Sequence, residues 1–324
     1  MAGNREYTAS WLELEAQLGG RLVVHGSAKE QRALFTGLVK SVAAQRPPPN
    51  ENIQVSEHTV GAIPVRVYRS KDATDELVPI GIFAHGGGFV AGSLDSEDFF
   101  CREVVERVQT VIVSVDYRLA PENKAPAQLE DMLQGFQWTH DNATSFNGDA
   151  NKMYTIGASA GGVLSLSAAR QIALGRSTLP STTIKGIVAL VPQAYHPQNV
   201  PEKYKSDFLA YHENATNIPM IDKISVDAAL EMASVDTNNV DYLVGMDPGS
   251  HKLFPPTYIA TCEFDPLRDD GKILARALQE AGVSVRSAHY DGLPHCFWFL
   301  PMLHETAVFM NHTIDGLKWI ISQM

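Results

Sequence analysis

The sequence predicts an α/β fold in which a mostly parallel sheet is flanked by helices. One observation is a series of short, almost uninterrupted apolar runs, which is typical of strands buried on both faces. Another is that segments with helical spacing separate these runs, because parallel strands need a crossover connection. The third is a pair of alternating segments ahead of the series, typical of an antiparallel edge. The apolar runs lie at 80–84, 111–115, 153–156, 187–191 and 258–261, and a last strand is predicted at 283–290.

The helices predicted between these strands complete the alternation. The clearest follows the strand at 153–156, where Val163, Leu164 and Ile172 recur at roughly helical spacing among small residues. Small side chains there let a helix lie close to a sheet. The predicted helices of this set are 96–109, 126–141, 160–174, 270–282 and 302–322.

The first 50 residues differ from the rest of the chain. Apolar residues around Trp11 and Leu38 recur at helical spacing, and Pro47–Pro49 end the second of these two helices. We expect residues 1–50 to form an N-terminal helical cap segment and residues 51–324 to form the main domain. A plain packing role for the first segment fits the pattern equally well.

Two later segments have their own patterns. Residues 53–70 alternate apolar and polar side chains and are broken by Gly61, which predicts two antiparallel strands at the sheet edge. Residues 195–250 interrupt the strand–helix alternation, being polar and irregular up to Asn217 and helix-like over 224–232. An insertion after the carboxyl end of a strand is well placed to cover a site, so we expect a second part of the cap here.

Composition limits the classes of partner. The chain has 324 residues and a formal net charge of −11, which disfavours nucleic acid or an anionic membrane as a partner, because both require a basic face. No apolar stretch approaches the ~20 residues that span a bilayer. The three cysteines are scattered and the first 20 residues lack a secretion-signal pattern, which predicts a cytoplasmic protein. The histidines are dispersed, and no metal site is predicted.

Ser159 is the strongest candidate for a catalytic nucleophile. It lies in Gly157-Ala-Ser-Ala-Gly161, between a predicted buried strand and a predicted helix. In such a Gly-x-Ser-x-Gly turn the backbone at the serine is strained and the hydroxyl stays exposed. Glycine is needed on both sides because a side chain there would collide with the strand or the helix. An isolated pentapeptide of this kind is a weak signal, so the surrounding residues decide its meaning.

Three consecutive glycines follow the strand at 80–84. In His85-Gly-Gly-Gly-Phe89 the backbone N–H groups are unshielded, and such groups suit an oxyanion hole for a tetrahedral acyl intermediate. A phosphate-binding loop would need a Gly-x-Gly-x-x-Gly pattern or a Gly-Lys-Ser/Thr ending, and neither is present. A plain turn is the remaining alternative.

A carboxylate and a base follow the serine in chain order. Asp265 comes just past a predicted strand, and His295 follows the last predicted strand. We interpret His295 as the candidate general base and Asp265 as the carboxylate that orients it. Glu263 is the second choice for the orienting carboxylate, whereas Asp269 and Asp270 are expected to cap the next helix.

Together these motifs resemble the hormone-sensitive-lipase-type branch of the α/β-hydrolase esterases. The likeness covers roughly residues 75–322. Ala158 and Cys296 stand where other residues are more common in the family, and they leave the motifs recognisable. The motifs are His-Gly-Gly-Gly-Phe at 85–89, Asp-Tyr-Arg-Leu-Ala-Pro-Glu at 116–122, Gly-Ala-Ser-Ala-Gly-Gly at 157–162, Asp-Pro-Leu-Arg-Asp at 265–269 and Pro-His-x-Phe at 294–297.

The resemblance implies an α/β-hydrolase fold with an eight-stranded sheet, a helical cap and no cofactor. It implies that residues 51–324 are the catalytic domain, with a cap insertion at about 195–250. The implied roles are Ser159 as nucleophile, His295 as base and Asp265 as its orienting acid. The implied oxyanion-hole donors are the amides of Gly87, Gly88 and Ala160.

The predicted function is that of a serine carboxylesterase acting on short- to medium-chain or natural-product esters through an acyl-enzyme. Phe89 and Trp298 lie beside the motifs and are predicted substrate contacts, which favours an apolar acyl or alcohol part. The alternatives are a lactonase or amidase of a secondary metabolite and a non-catalytic small-molecule binding protein. The expected partner is a small ester or lactone, and the resemblance is compatible with a homodimer.

Overall fold

The computed structural model describes residues 5–72 and 76–324. Within these ranges eight strands form one sheet, which confirms the prediction. The five buried strands and the last strand predicted from the sequence are all present. The strands are β1 Ile53–Val60, β2 Ile63–Ser70, β3 Val78–Ala84, β4 Val111–Val115, β5 Gly148–Ala158, β6 Ile184–Leu190, β7 Thr257–Phe264 and β8 Val285–Pro294.

The sheet is parallel except at one edge. Its strand order is β1-β2-β4-β3-β5-β6-β7-β8. β1 pairs antiparallel with β2, and β2 with β4, whereas the remaining pairs are parallel. Most of β1 is exposed or half-buried, while every residue of β4 is buried. The alternating and the continuous apolar patterns therefore predicted the edge and the centre of the sheet correctly.

Helices connect the strands and cover both faces of the sheet. The five helices predicted after residue 95 are all present, and their ends differ from the prediction by one or two residues, as is usual for helix boundaries. Both N-terminal helices are present as well. The α-helices are α1 Ala9–Gln17, α2 Ala28–Ala43, α3 Asp98–Arg107, α4 Ala127–Asn142, α5 Ala160–Ala173, α6 Ala210–Glu213, α7 Lys223–Ala233, α8 Pro248–His251, α9 Arg268–Glu280 and α10 His304–Ile321.

Two apolar cores lie on opposite faces of the sheet, because successive strand residues point to opposite sides. In β3, Ile82 belongs to the core shared with α4, α5 and α9, and Phe83 belongs to the core shared with α3 and α10. α5 is buried along almost its whole length. The small residues after Ser159 therefore serve the close helix–sheet packing that the sequence predicted.

The N-terminal segment and the 195–250 insertion meet over the sheet. The N–H of Met220 donates to the carbonyl of Leu22 at 2.7 Å, and the N–H of Val24 donates to the carbonyl of Met220 at 2.9 Å. The helix predicted over 224–232 is α7. The segment before it is less polar than expected, because several of its aromatic side chains are buried, namely Tyr195, Tyr204, Phe208 and Tyr211. The division at residue 50 into cap segment and main domain stays a prediction.

Three features of the whole chain bear on its environment and partners. No helix in the described ranges combines the length and the apolar character needed to cross a membrane. The three cysteines are unpaired and buried. In the same part of the chain, no group of three or more His, Cys, Asp or Glu residues is arranged to hold a metal ion.

Candidate active site

Ser159 lies on a sharp turn between β5 and α5. The strand ends one residue before it and the helix begins one residue after it. Its φ of 56° and ψ of −120° lie outside the regions that L-residues favour, so the turn is strained. A Cβ at Gly157 would collide with the carbonyl of Gly161, and a Cβ at Gly161 would collide with the end of β3. Both glycines are therefore required, for the reason predicted from the sequence.

Asp265 and His295 form a buried pair. They directly follow β7 and β8, which are parallel neighbours, so both lie at the same edge of the sheet. Nδ1 of His295 lies 2.7 Å from Oδ2 of Asp265, and both residues are almost fully buried. The other carboxylate oxygen accepts a hydrogen bond from the N–H of Leu267 at 2.8 Å. The carboxylate therefore holds the imidazole with Nδ1 protonated, which leaves Nε2 free to accept a proton.

One cavity brings the candidate residues together. Ser159 and His295 both line it, and so does Phe89. The residues of the predicted oxyanion hole line it as well, namely Gly87, Gly88 and Ala160. Most other lining side chains are apolar and come from the N-terminal segment or from α7 and the residues before it: Leu22, Val24, Leu34, Phe35, Leu38, Met220, Ile221, Val226, Ala229 and Leu230.

The glycines after β3 adopt a backbone that other residues rarely take. The φ angle is 115° at Gly87 and 62° at Gly88, and a Cβ on Gly87 would collide with the carbonyl of Ala91. Among the described residues, no atom accepts a hydrogen bond from the N–H of Gly87 or Gly88. The N–H of Ala160 has no partner within its helix, because this residue begins α5. Three backbone donors in residues that line the cavity are thus available.

His85 and Tyr117 fix the start of this glycine loop. The Tyr117 hydroxyl donates to the carbonyl of His85 at 2.7 Å, and the two rings stack with centroids 4.1 Å apart. Burial lowers the pKa of His85 to about 4, so its ring is neutral near pH 7. Its Nδ1–H donates to the carbonyl of Gly86 at 2.7 Å. The loop is therefore held from both sides before any substrate binds.

Trp298 does not line the cavity. Its side chain is fully buried and stacks on Phe309 of α10, with ring centroids 3.9 Å apart and planes 4° from parallel. The prediction of Trp298 as a substrate contact is therefore wrong for this cavity. The neighbouring Phe299 lines it instead. A short 3-10 turn decides which of the two aromatic side chains faces the cavity, and the sequence alone does not show its direction.

The other acidic residues near Asp265 hold loops around the site. Glu263 accepts a hydrogen bond from the N–H of Gly292 at 2.6 Å and does not contact His295. Asp269 and Asp270 lie in the first turn of α9, which suits the helix dipole, but neither is its N-cap. The predicted capping role is therefore wrong. These two carboxylates instead accept hydrogen bonds from the 195–250 insertion or the residue before it, at 2.7 to 2.9 Å from the amides of Ala194, Tyr195, Leu209 and Ala210.

Two glutamines in the cavity lining were not predicted from the sequence. Nε2 of Gln31 in α2 donates to the carbonyl of Gly26 at 3.0 Å, and Nε2 of Gln193 after β6 donates to the carbonyl of Tyr195 at 3.3 Å. Both residues are almost fully buried. Within the described ranges no donor reaches the Oε1 atom of either. The available signal for Gln193 was its position just after the apolar run at 187–191, whereas Gln31 lies between Glu30 and Arg32 and has no such signal.

Comparisons with known proteins show which family the chain resembles in sequence and in structure. A family model described as the alpha/beta hydrolase fold matches residues 81–299. A versiconal hemiacetal acetate esterase of Dothistroma septosporum is 43% identical over 98% of this chain and 96% of its own length. Carboxylesterase NlhH of Mycobacterium tuberculosis is 34% identical over 75% of each chain. The crystal structure of vibralactone cyclase has a TM-score of 0.88 and 28% identity, covering 100% of this chain and 97% of that one.

The chain therefore belongs to the α/β-hydrolase family, in the hormone-sensitive-lipase-like carboxylesterase branch that its motifs resemble. The predictions of an α/β-hydrolase fold and of a carboxylic ester hydrolase are confirmed. The names of the relatives favour ester hydrolysis over the lactonase alternative.

Proposed function

We propose that this carboxylesterase acts through a triad of Ser159, His295 and Asp265. The supporting observation is the buried His295–Asp265 pair, whose imidazole lines the same cavity as the strained Ser159 turn. Acyl transfer requires a nucleophile, a base and a group that orients the base, and these three side chains supply them.

The mechanism has two half-reactions. Oγ of Ser159 attacks the ester carbonyl carbon while Nε2 of His295 accepts the hydroxyl proton. Asp265 keeps Nδ1–H oriented and stabilises the imidazolium that forms. The C–O bond to the alcohol then breaks, and His295 gives its proton to the leaving alcohol. Water next attacks the acyl-enzyme while its proton passes to His295, and the acid leaves as Ser159 regains a proton.

The proposed oxyanion hole consists of the amides of Gly87, Gly88 and Ala160. The carbonyl oxygen becomes negative in the tetrahedral intermediate, and donors fixed beforehand stabilise that charge without reorganisation. The loop conformation fixes the two glycine amides, and the N-terminus of α5 adds its dipole at Ala160. Removing one donor from such a hole lowers kcat by roughly 10² to 10³.

The lining of the cavity favours a short acyl group on an apolar alcohol. Apart from His295, no acidic or basic residue of the described chain lines it. Aliphatic and aromatic side chains from α2 and α7 form most of the wall, and such walls bind apolar ligands. The Dothistroma septosporum relative is named for an acetate ester. We therefore propose an acetyl or similarly short ester of an apolar natural-product alcohol as substrate.

Hydrolysis of p-nitrophenyl esters from acetyl to dodecanoyl tests this function. We expect the fastest turnover with short acyl groups, and a loss of about 10⁶ in kcat in Ser159→Ala. Ser165→Ala is a matched control, because Ser165 is buried in the same helix but does not line the cavity. Activity of Ser159→Ala equal to that of the wild type would refute the triad. Lactones and anilides assayed alongside would show a preference for other acyl groups.

Two further expectations belong to this proposal. The unpaired, buried cysteines suit a reducing compartment, so we propose a cytoplasmic location, which fluorescence microscopy of a tagged protein tests. A homodimer is expected from the family resemblance alone, and gel filtration with light scattering tests it.

A further inference from the structure

Glu97 is a buried acid beside the glycine loop. It directly precedes α3 and is 2% exposed. Its Oε2 accepts a hydrogen bond from the N–H of Gly86 at 2.7 Å. Its Oε1 is buried and has no partner within the described ranges. Because Gly86 precedes Gly87 and Gly88, the carboxyl group is bonded to the loop that carries two of the three proposed oxyanion donors.

No cation neutralises this carboxyl group. None of the described Lys, Arg or His residues forms an ion pair with it. The titratable groups that face it are Cys101 of α3, Tyr117 after β4 and Cys296 after β8, and burial raises the pKa of each, so they are neutral near pH 7. The neighbouring His85 is neutral too. Burial raises the pKa of Glu97 to about 8, so the carboxyl group carries a proton at neutral pH.

The same carboxyl group lies close to the nucleophile. A Cβ placed on Gly86 would be 3.8 Å from Oε2 of Glu97 and 3.8 Å from Cβ of Ser159, so both residues lie beside Gly86. A charge on Glu97 would oppose the negative charge that forms on the carbonyl oxygen. Solvent and salt screen such a buried repulsion poorly. A neutral carboxyl group holds Gly86 without this repulsion.

We propose that Glu97 is a positioning residue of the oxyanion hole, which holds the glycine loop through Gly86 as a neutral carboxylic acid and lowers turnover when it ionises. The inference rests on the proposed roles of Gly87 and Gly88. Glu97 acts through the loop and does not touch the substrate. Its neighbours in the sequence, Ser96 and Asp98, give no sign of this role.

The experiment compares kcat and KM of wild type, Glu97→Gln and Glu97→Leu with p-nitrophenyl acetate, from about pH 5 to about pH 10. In the wild type we expect kcat to fall as the pH rises through about 8. In Glu97→Gln the fall is absent, because the amide oxygen accepts the Gly86 hydrogen bond but the amide does not ionise. Glu97→Leu loses the acceptor, and kcat falls roughly tenfold to a hundredfold with little change in KM. Glu106→Gln, on an exposed position of α3, keeps the wild-type profile.

Several outcomes overturn the inference. They are a wild-type kcat that does not fall above pH 8, an alkaline fall that persists in Glu97→Gln, and a Glu97→Leu variant with wild-type kcat. Circular dichroism checks folding, and if Glu97→Leu does not fold, the profile of Glu97→Gln decides alone. If Ser159→Ala is inactive and the pH profile of kcat in Glu97→Gln equals that of the wild type, only the role of Glu97 is refuted. An active Ser159→Ala refutes the triad itself.

Discussion

At the scale of single residues, the Asp265 carboxylate has two partners that fix its direction. One oxygen faces Nδ1 of His295, and the other accepts the N–H of Leu267. In an Asp265→Asn variant, the side-chain amide either presents its N–H donor to the imidazole of His295 or loses one of these two hydrogen bonds. Either change disturbs the protonation of Nδ1 on which the proposed base depends.

We therefore expect Asp265→Asn to lower kcat by about 10⁴, with a much smaller change in KM. Steady-state hydrolysis of p-nitrophenyl acetate measures both constants. Asp315→Asn is the control, because Asp315 lies on an exposed face of α10. A kcat for Asp265→Asn close to that of the wild type would exclude Asp265 as the orienting acid.

The two glutamines add acceptors to an otherwise apolar wall. Because each Nε2 is held by a carbonyl, the Oε1 of Gln31 or Gln193 is oriented before the substrate arrives. A substrate hydroxyl that meets such an acceptor gains a hydrogen bond.

Gln193→Leu should therefore lower kcat/KM about tenfold for an aryl acetate that carries a second, free hydroxyl on its ring. The parent aryl acetate without that hydroxyl should be much less affected. Paired assays of 1-naphthyl acetate and 5-hydroxy-1-naphthyl acetate measure the difference, with Gln279→Leu on the exposed side of α9 as control. Equal losses for both esters would mean that Gln193 shapes the cavity without recognising a hydroxyl.

The sequence identified some of these residues and not others for a physical reason. Ser159, Asp265 and His295 each follow a strand, and strand ends are readable from apolar runs and from Gly and Pro. The direction of a side chain within a loop depends on packing against distant residues. Trp298 turns to Phe309 for this reason, and nothing in its local sequence shows that partner.

At the scale of elements, the first turn of α9 links the region of the proposed orienting acid to the 195–250 insertion. Asp269 accepts the amides of Leu209 and Ala210, both at 2.7 Å. Nδ2 of Asn214, a few residues further, donates to the carbonyl of Asp265 at 3.0 Å. The insertion is therefore fastened beside the proposed triad.

Asp269→Ala removes two of these hydrogen bonds, and we expect KM to rise severalfold while kcat changes less, because the insertion carries cavity-lining residues and none of the proposed catalytic groups. Kinetics with a medium-chain p-nitrophenyl ester measure the split. Asp207→Ala is the matched control, since Asp207 lies in the same insertion, where its exposed carboxylate pairs with Arg276 and accepts a hydrogen bond from Ser206. A fall in kcat at unchanged KM would show that Asp269 supports the triad itself.

The sheet was predictable in detail, whereas the interior of the cap was not. Strands such as β4 are short and almost continuously apolar, so their type follows from composition. In the insertion, Tyr204, Phe208 and Tyr211 recur at nearly helical spacing, yet Tyr204 lies in a 3-10 turn, Tyr211 in a four-residue helix and Phe208 between the two. Their burial depends on contacts such as the hydrogen bond from Tyr204 to Glu280 of α9, which the local sequence does not specify.

At the scale of the whole molecule, the buried acid makes stability depend on pH. The pKa of Glu97 is about 8 in the folded protein, above its ordinary value of 4.5. Between these two values the folded state binds the proton more tightly than the unfolded state. The contribution of Glu97 to stability is therefore fully present below about pH 4.5 and is lost as the pH rises to about 8.

Glu97→Gln lacks this titration, so its Tm should rise relative to that of the wild type as the pH increases. Thermal unfolding at about pH 5, pH 6.5 and pH 8 measures the difference at each point. Other titrating groups change both proteins alike and cancel in the comparison. A constant difference across the three values would show that Glu97 does not change its protonation on unfolding in this range.

The bridge between Val23 and Met220 joins parts of the chain that leave the ribosome at very different times. α2 emerges before the sheet, but the wall that it forms together with α7 is complete only after most of the sheet has been synthesised. The residues proposed for catalysis all lie outside α1 and α2. Sequence changes confined to α2 can therefore alter which esters enter the cavity while the proposed catalytic groups stay unchanged. Substrate selection and catalysis can thus evolve separately in this chain.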